Sequence, residues 1–270
     1  MTAKGRAAGS QRLRSQVASA LFGALATLLL LHGSGSGSGS SLRGGGGTPS
    51  QRSGAAGCRN KSLQPPRTRL EMGDLLEREG FTSGAELGVQ RGEFALTTLA
   101  AWPSCQQYIL VDVWRQQENY EEAANVDDGK QQANYDAAVA ALKPFEGVTE
   151  FLRMFTSESA PLVPDSSLDY VDIDARHDYC GCAEDMALWW PKLRPGGILA
   201  GHDYLNAKEI KEFHPNEDWC LCANGTRHEG AVKGAVGEFA AAQGLTVAVT
   251  YREIELGNPY GSWLLRKPEC

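Results

Sequence analysis

The sequence predicts an α/β fold: a doubly wound, mostly parallel seven-stranded sheet with an antiparallel C-terminal hairpin. Three observations carry this. From residue 70 onward, short apolar runs alternate with stretches of helical spacing, the pattern of strands whose crossover helices cover both faces of a sheet. The last two strand-like runs have no helix between them, so they must pair as a hairpin. Several runs end in glycines or carboxylates, at the edge of a parallel sheet where ligands bind.

The elements follow in order. Leu70–Glu79 reads as a helix, and Gly84–Val89 holds a short strand ending in glycine. Phe94–Ala101 reads as a helix and Tyr108–Val113 (YILVDV) as a buried strand. Asn134–Leu142 is helical, with Tyr135, Val139 and Leu142 on one face. Val148–Leu152 is a strand candidate, and Leu168–Ile173 (LDYVDI) a strand followed by a helix over Ala183–Trp190. Pro195-Gly196-Gly197 is expected to turn into a strand over Ile198–Ala200. Val232, Val236 and Phe239 have helical spacing, and Leu245–Tyr251 and Ser262–Arg266 are the closing strands. No internal repeat is visible. The stretch Asn206–Glu229 is long for a connection and reads as a lid or binding loop.

Charge divides the 270 residues. Residues 1–70 hold ten of the 26 Lys+Arg and none of the 33 Asp+Glu. The remainder therefore carries 16 positive and 33 negative groups, a balance of −17. An acidic body lacks the clustered basic footprint of a nucleic-acid-binding surface. Lys4, Arg6, Arg12 and Arg14 precede an apolar run over Val17–Leu31. Residues 1–32 thus read as a signal peptide or a short signal anchor, because a full span needs about 20 apolar residues. This predicts the secretory pathway, in the lumen or secreted, with membrane contact only through that segment. An acid-free leader containing Arg and Ser also describes a transit peptide, which makes a plastid or mitochondrion the alternative. Residues 33–60 are a Gly/Ser-rich flexible linker. Folding is expected to begin near residue 61, giving one domain over 61–270.

Two C-x-C pairs, Cys180/Cys182 and Cys220/Cys222, stand among seven cysteines. They read as cross-bridging in an oxidising lumen, as four zinc thiolates, or as ordinary loop and core thiols. Two N-glycosylation sequons occur, Asn60-Lys61-Ser62 and Asn224-Gly225-Thr226.

Four constellations carry chemistry. Gly84-Ala85-Glu86-Leu87-Gly88 with Gly92 is a glycine-rich turn after the first strand. Glycine lets backbone approach a ligand closely, and the next helix offers unpaired N–H groups. Glu86 there repels a pyrophosphate and suits a cationic or amine-bearing ligand. Asp112, at the tip of the second strand, is placed to accept both hydroxyls of a ribose. Asp172, Asp174 and His177 follow the third constellation's apolar strand, and His202 and Asp203 follow the fourth. Neighbouring parallel strands bring Asp174, His177, His202 and Asp203 to one edge. That cluster suits a divalent cation held by oxygens, or a general base beside a substrate hydroxyl.

Taken together, E-x-G-x-x-x-G, the acidic second-strand end, D-x-D-x-x-H-x-Y and P-G-G-x-x-x-G-H-D-Y resemble the class I S-adenosylmethionine-dependent methyltransferases, in particular the methyltransferase domain 24 family, over roughly residues 70–266. The resemblance implies that Glu86, Gly88 and Gly92 line the methionine end of the cofactor site. It implies that Asp112 holds the ribose and that Ser157 lies near the adenine, with Asp172 beside the cofactor. The layout is also similar to catechol-type O-methyltransferases, whose magnesium ligands match Asp174 and Asp203. The third ligand of that pattern is Asn or Asp, and here it is Tyr204, which leaves Mg2+ open. His177, His202 and Asp203 are the candidate catalytic residues, and O-methylation of a small hydroxylated acceptor, a glycan or a phenolic metabolite, is the implied reaction.

Other classes have their own signals. Asp172-Ile173-Asp174 is a D-x-D that could hold a metal and nucleotide-sugar in a secretory glycosyltransferase, but that reading leaves Glu86, Gly88 and Asp112 without a role. A nicotinamide-linked oxidoreductase lacks its G-x-G-x-x-G. A non-catalytic methyltransferase-like binding domain is the third alternative. Trp189, Trp190, Trp219 and Tyr204 either line the acceptor site or pack the core. The sequence does not set the oligomeric state.

Overall fold

The computed structural model describes residues 63–250 and 260–269. The leader over 1–32, the linker over 33–60 and the first sequon, Asn60-Lys61-Ser62, lie outside the described residues.

A 3-10 turn, Arg69–Glu71, leads into helix α1 (Met72–Glu79). The chain then runs β1 (Ser83–Leu87), α2 (Glu93–Ala101), β2 (Gln107–Asp112), α3 (Asp128–Leu142), β3 (Thr149–Arg153), α4 (Thr156–Ser159) and β4 (Leu168–Ile173). It continues through α5 (Tyr179–Trp189), β5 (Leu193–Gly201), α6 (Ala207–Phe213), α7 (Ala231–Gln243), β6 (Ala248–Val249) and β7 (Trp263–Arg266). The seven strands order as β3-β2-β1-β4-β5-β7-β6. The first four neighbours pair in parallel, and β7 pairs antiparallel with both β5 and β6. The expected sheet and closing hairpin are therefore present.

Strand alternation distributes the core between two faces. Ala85, Leu87, Ile109, Val111, Val171 and Ile173 pack with Met186 of α5 and Val232 and Val236 of α7. Tyr108, Leu110, Tyr170, Ile198, Ala200 and Leu264 pack on the opposite face with Met72, Leu76, Leu99 and Leu142. Glu86 and Asp172 pair in register and share that second face.

Some boundaries differ from the sequence expectation. Pro195-Gly196-Gly197 is inside β5 rather than a turn before it. The reason is pairing: Gly196 N–H donates to Lys267 O, and Lys267 N–H to Gly197 O, both at 2.9 Å. Helix α3 starts six residues earlier than its apolar face suggested, because Asp127 caps it by accepting from Lys130 N–H at 3.0 Å. β6 is shorter than Leu245–Tyr251, and Tyr251 lies outside the described residues. The stretch expected to be one long loop from Asn206 contains α6, started by a capping box in which Glu209 N–H bonds Asn206 Oδ1 and Asn206 N–H bonds Glu209 Oε2. No helix among the described residues is long and apolar enough to cross a membrane.

Candidate active site

The turn after β1 is fixed by backbone geometry. Gly88 and Gly92 have φ of +88° and +75°, values that L side chains rarely adopt. A Cβ on Gly88 would overlap the Asp174 carbonyl, so the β1 turn and the β4 end are in direct backbone contact. Asp112 ties the β2 end to the same turn. Its Oδ2 accepts from Val89 N–H at 3.0 Å and Gln90 N–H at 2.9 Å, and its Oδ1 from Trp114 N–H at 2.8 Å. Gln90 and Trp114 both carry positive φ, 48° and 40°, and Asp112 holds these strained turns in place. Its carboxylate thus faces the turn amides rather than open solvent. Burial pushes its carboxyl up, and the amide bonds oppose that shift.

Beyond the carboxyl ends of β2 and β3 opens a cleft of about 450 Å3. Val113, Trp114 and Arg115 line one side, and Met154, Phe155 and Glu158 the other. Ser157, in α4, sits between Phe155 and Glu158 in the chain without lining the cleft itself.

Glu86 and Asp172 lie beneath the turn, each 1% exposed. Tyr108 Oη–H donates to Glu86 Oε2 at 3.0 Å, and Tyr170 Oη–H to Asp172 Oδ1 at 2.9 Å. Above them lies Arg69, whose Nη2 reaches Asp172 Oδ2 at 3.2 Å and Asp174 Oδ2 at 2.6 Å. Its guanidinium also stacks on the Phe94 ring, 3.9 Å from the centroid. Burial, then the neighbouring Asp172, raises the Glu86 carboxyl well above its usual range. Burial likewise raises Asp172, with Arg69 opposing it. These two acids form a polar layer under the site. Asp172 is sealed by Tyr170 and Arg69, so the D-x-D reading as a metal–nucleotide-sugar site has no open first carboxylate.

The four residues expected at one edge do meet. His177 Nε2 stands 3.2 Å from Asp174 Oδ1 and 3.0 Å from Asp203 Oδ2. His202 Nδ1 lies 2.8 Å from Asp203 Oδ1. Asp203 occupies φ +56° directly beyond β5, a strained backbone that turns its carboxylate between the two imidazoles. Burial pushes the Asp174 carboxyl up, but Arg69 and then His177 and His202 outweigh it and hold it well below its usual range. Burial favours neutral His177, yet Asp203, Asp174 and Glu122 overcome it and raise its pKa to about 9. These acids favour the imidazolium at neutral pH, while Nδ1 is buried without a hydrogen-bond partner among the described residues.

Sequence reasoning missed three neighbours of this cluster. Arg69 belongs to no local motif and arrives from 103 residues before Asp172. Tyr120 Oη–H donates to Ala175 O at 3.0 Å and accepts from His177 N–H at 3.3 Å. Tyr260 hydrogen-bonds His214, with its ring 6.0 Å from that of His202. Of the aromatic candidates, Trp219 reaches the cluster, its ring 4.6 Å from His177. Trp189 is core, Trp190 packs on Phe239, and Tyr204 packs against the core under Lys233.

Asp174, His177 and Asp203 are close enough together to contact one ion. The donor set nevertheless does not fit magnesium, which takes oxygen ligands in near-octahedral array. Both oxygens of Asp174 accept from Arg69 and His177, and both of Asp203 from His177 and His202. Where the magnesium pattern has Asn or Asp as its third ligand, this chain has Tyr204.

Above the cluster, Cys180 of α5 is disulfide-bonded to Cys222, and among the described residues Cys105, Cys182 and Cys220 are free and buried. The C-x-C pairs therefore form one cross-bridge and no four-thiolate zinc site.

Residues 85–204 match a family described as a methyltransferase domain. No curated protein sequence matches the chain. Among solved structures, a candidate caffeoyl-CoA O-methyltransferase from Staphylococcus aureus is 11% identical, with a TM-score of 0.52 over 76% of this chain and 85% of the other. An O-methyltransferase from Bacillus cereus, solved in complex with SAH, is 14% identical, with a TM-score of 0.51 over 76% and 83%. At these identities the likeness is one of fold.

Proposed function

We propose that this chain, whose residues 85–204 match the methyltransferase-domain family, is an S-adenosylmethionine-dependent O-methyltransferase acting on a small hydroxylated acceptor, a sugar or glycan or a phenolic metabolite. The observation that carries the reading is the meeting, at one sheet edge, of a positive-φ glycine turn and an Asp–His pair. The catalytic unit is residues 61–270, behind a leader over 1–32 and the 33–60 linker.

The residues present suit the cofactor. The cleft has the volume an adenine needs, with Trp114, Met154 and Phe155 as apolar surfaces and Arg115, Asp128, Gln132, Arg153 and Glu158 as polar ones. Gly88 and Gly92 let backbone approach the remainder, and Asp112 keeps their turn rigid. Ser157 supports the adenine side through α4. Asp174, whose carboxylate Arg69 holds ionised, supplies negative charge for a cationic methionine end, and buried Glu86 and Asp172 form the polar floor beneath it. The cofactor brings an electrophilic methyl group on sulfonium sulfur.

His202 is the general base, its imidazole oriented by the contact of Nδ1 with Asp203 Oδ1. His177 stays protonated between Asp174 and Asp203, fixing both carboxylates and the strained Asp203 backbone. Alignment of acceptor oxygen and methyl donor is the protein's largest contribution. No metal enters this scheme.

The test is transfer of a labelled methyl group from S-adenosylmethionine to a panel of sugars and phenols, in EDTA. Turnover lost in His202→Gln supports the reading. Cofactor binding without transfer to any acceptor makes the chain a binding domain instead.

A further inference from the structure

We propose that Asn224 is an N-glycosylation site, carried on the tip of the disulfide-tethered loop that covers the His177 cluster. Sequence alone offers the triplet Asn224-Gly225-Thr226. The structure adds three independent features.

The first is presentation. Asn224, Gly225 and Thr226 are all exposed, whereas Trp219, five residues earlier on the same loop, is 3% exposed and packs on His177. The tip is a tight hairpin: Leu221 pairs with Arg227, Cys222 N–H bonds Thr226 O at 2.9 Å, and Gly225 N–H bonds Cys222 O at 2.8 Å. A Cβ on Gly225 would meet nothing within 4 Å, so the tip projects into open space. A branched sugar can leave it without touching the sheet edge.

The second is the conformation of the acceptor amide. Thr226 Oγ1–H donates to Asn224 Oδ1 at 2.6 Å, and Thr226 N–H donates to the same oxygen at 2.9 Å. This Asx turn couples the hydroxyl at the third sequon position to the amide oxygen. Asn224 Nδ2 makes no hydrogen bond among the described residues, and is left pointing outward for reaction. Thr, rather than a residue without a hydroxyl, is what makes the triplet an acceptor.

The third is the compartment the neighbourhood requires. Cys222, two residues before Asn224, is bonded to Cys180. Structural disulfides form and persist in oxidising compartments, and N-linked glycans are attached in such a lumen. The bridge and the sequon therefore ask for the same environment. That agrees with the secretory reading of the leader and not with its organelle alternative.

The chemistry balances with one co-reactant, a lipid-linked oligosaccharide pyrophosphate presented by a membrane transferase. Asn224 Nδ2 forms a bond to sugar C1, the C1–O bond to the pyrophosphate breaks, and the pyrophosphate leaves with the electron pair. The amide proton passes to a base of the transferase. The attached glycan then shields the loop tip, while Cys180–Cys222 keeps Trp219 seated on His177.

The full chain is expressed in a eukaryotic cell with a secretory pathway, and recovered from whole cells and medium. Peptides are released with N-glycosidase in heavy-oxygen water. The expected result is conversion of Asn224 to isotopically labelled Asp, and a gel shift that Asn224→Gln and Thr226→Ala each reduce by one glycan while Thr226→Ser keeps it. Because these side chains are exposed, circular dichroism of the variants is expected to match the parent. Recovery of the Asn224 peptide unmodified, whether Asn60 is glycosylated or the whole chain is bare, overturns the proposal.

Discussion

His202 Nδ1 lies 2.8 Å from Asp203 Oδ1, and that contact fixes the orientation of the imidazole at the sheet edge. His202→Gln is expected to lower kcat by roughly 100- to 10,000-fold, the usual contribution of a positioned base. Cofactor affinity should change little, since His202 is beyond β5 and the cleft is beyond β2 and β3. Steady-state rates and equilibrium binding on the same sample separate the two effects.

Asp203 serves both imidazoles, so Asp203→Asn has a second readout. Asp203 outweighs Asp174 and Glu122 among the charges that raise His177 to about 9. Its removal is expected to move the His177 titration towards the ordinary histidine value, read by NMR of the imidazole protons. An unmoved titration would mean that Asp174 and Glu122 together hold the imidazolium.

Stability should fall in alkali for the same reason. The His177 pKa is about 6.5 when unfolded and about 9 when folded, so its contribution is complete below pH 6.5 and lost as pH rises through 9. The size is roughly 3 kcal/mol, from 1.36 kcal/mol per pKa unit. Denaturant midpoints measured between pH 6 and 10 should therefore decline, and the decline should be absent in His177→Gln.

Asp185 contributes with the same sign through a different cause. It is buried in α5, and burial raises its pKa from 3.8 to about 7. Its charged form costs nothing below about pH 4 and its full amount above pH 7. Asp185→Asn is expected to stabilise the protein at pH 8 by on the order of 4 kcal/mol, from 1.36 kcal/mol per pKa unit, and to do nothing at pH 4. Chemical denaturation at the two pH values checks this.

Arg69 bridges Asp172 and Asp174, and His177 faces only the second of them. Arg69→Ala leaves Asp172 and Asp174 buried beside Glu86. Removing one partner of such a buried set typically costs about 3–5 kcal/mol. Urea unfolding should show that loss, and it should shrink at acid pH as the carboxylates protonate.

Much of this was legible in the sequence, and the limits are physical. Strand alternation and the missing last helix were enough for the seven-stranded sheet, because period and connectivity are local properties. The meeting of Asp174, His177, His202 and Asp203 followed from parallel neighbours sharing one edge. Orientation was not legible. Asp112 was placed at the right strand tip, but its carboxylate bonds turn amides whose positive φ no spacing rule announces. Glu86 and Asp172 were recognised as acids near the turn, yet their role as a buried layer depends on Arg69, Tyr108 and Tyr170. Helix α6 had a readable signal in Asn206-x-x-Glu209 that the length of the surrounding loop obscured. Which two of the four C-x-C cysteines pair is a matter of tertiary distance alone.

The most direct test is titration calorimetry of S-adenosylmethionine into the full chain with EDTA present, beside Gln132→Trp. Gln132 lines the cleft from the exposed side of α3, so an indole there fills it without entering the core. The account predicts binding that is undiminished by EDTA and abolished in Gln132→Trp. A folded sample that fails to bind, or binds only when magnesium is restored, contradicts it.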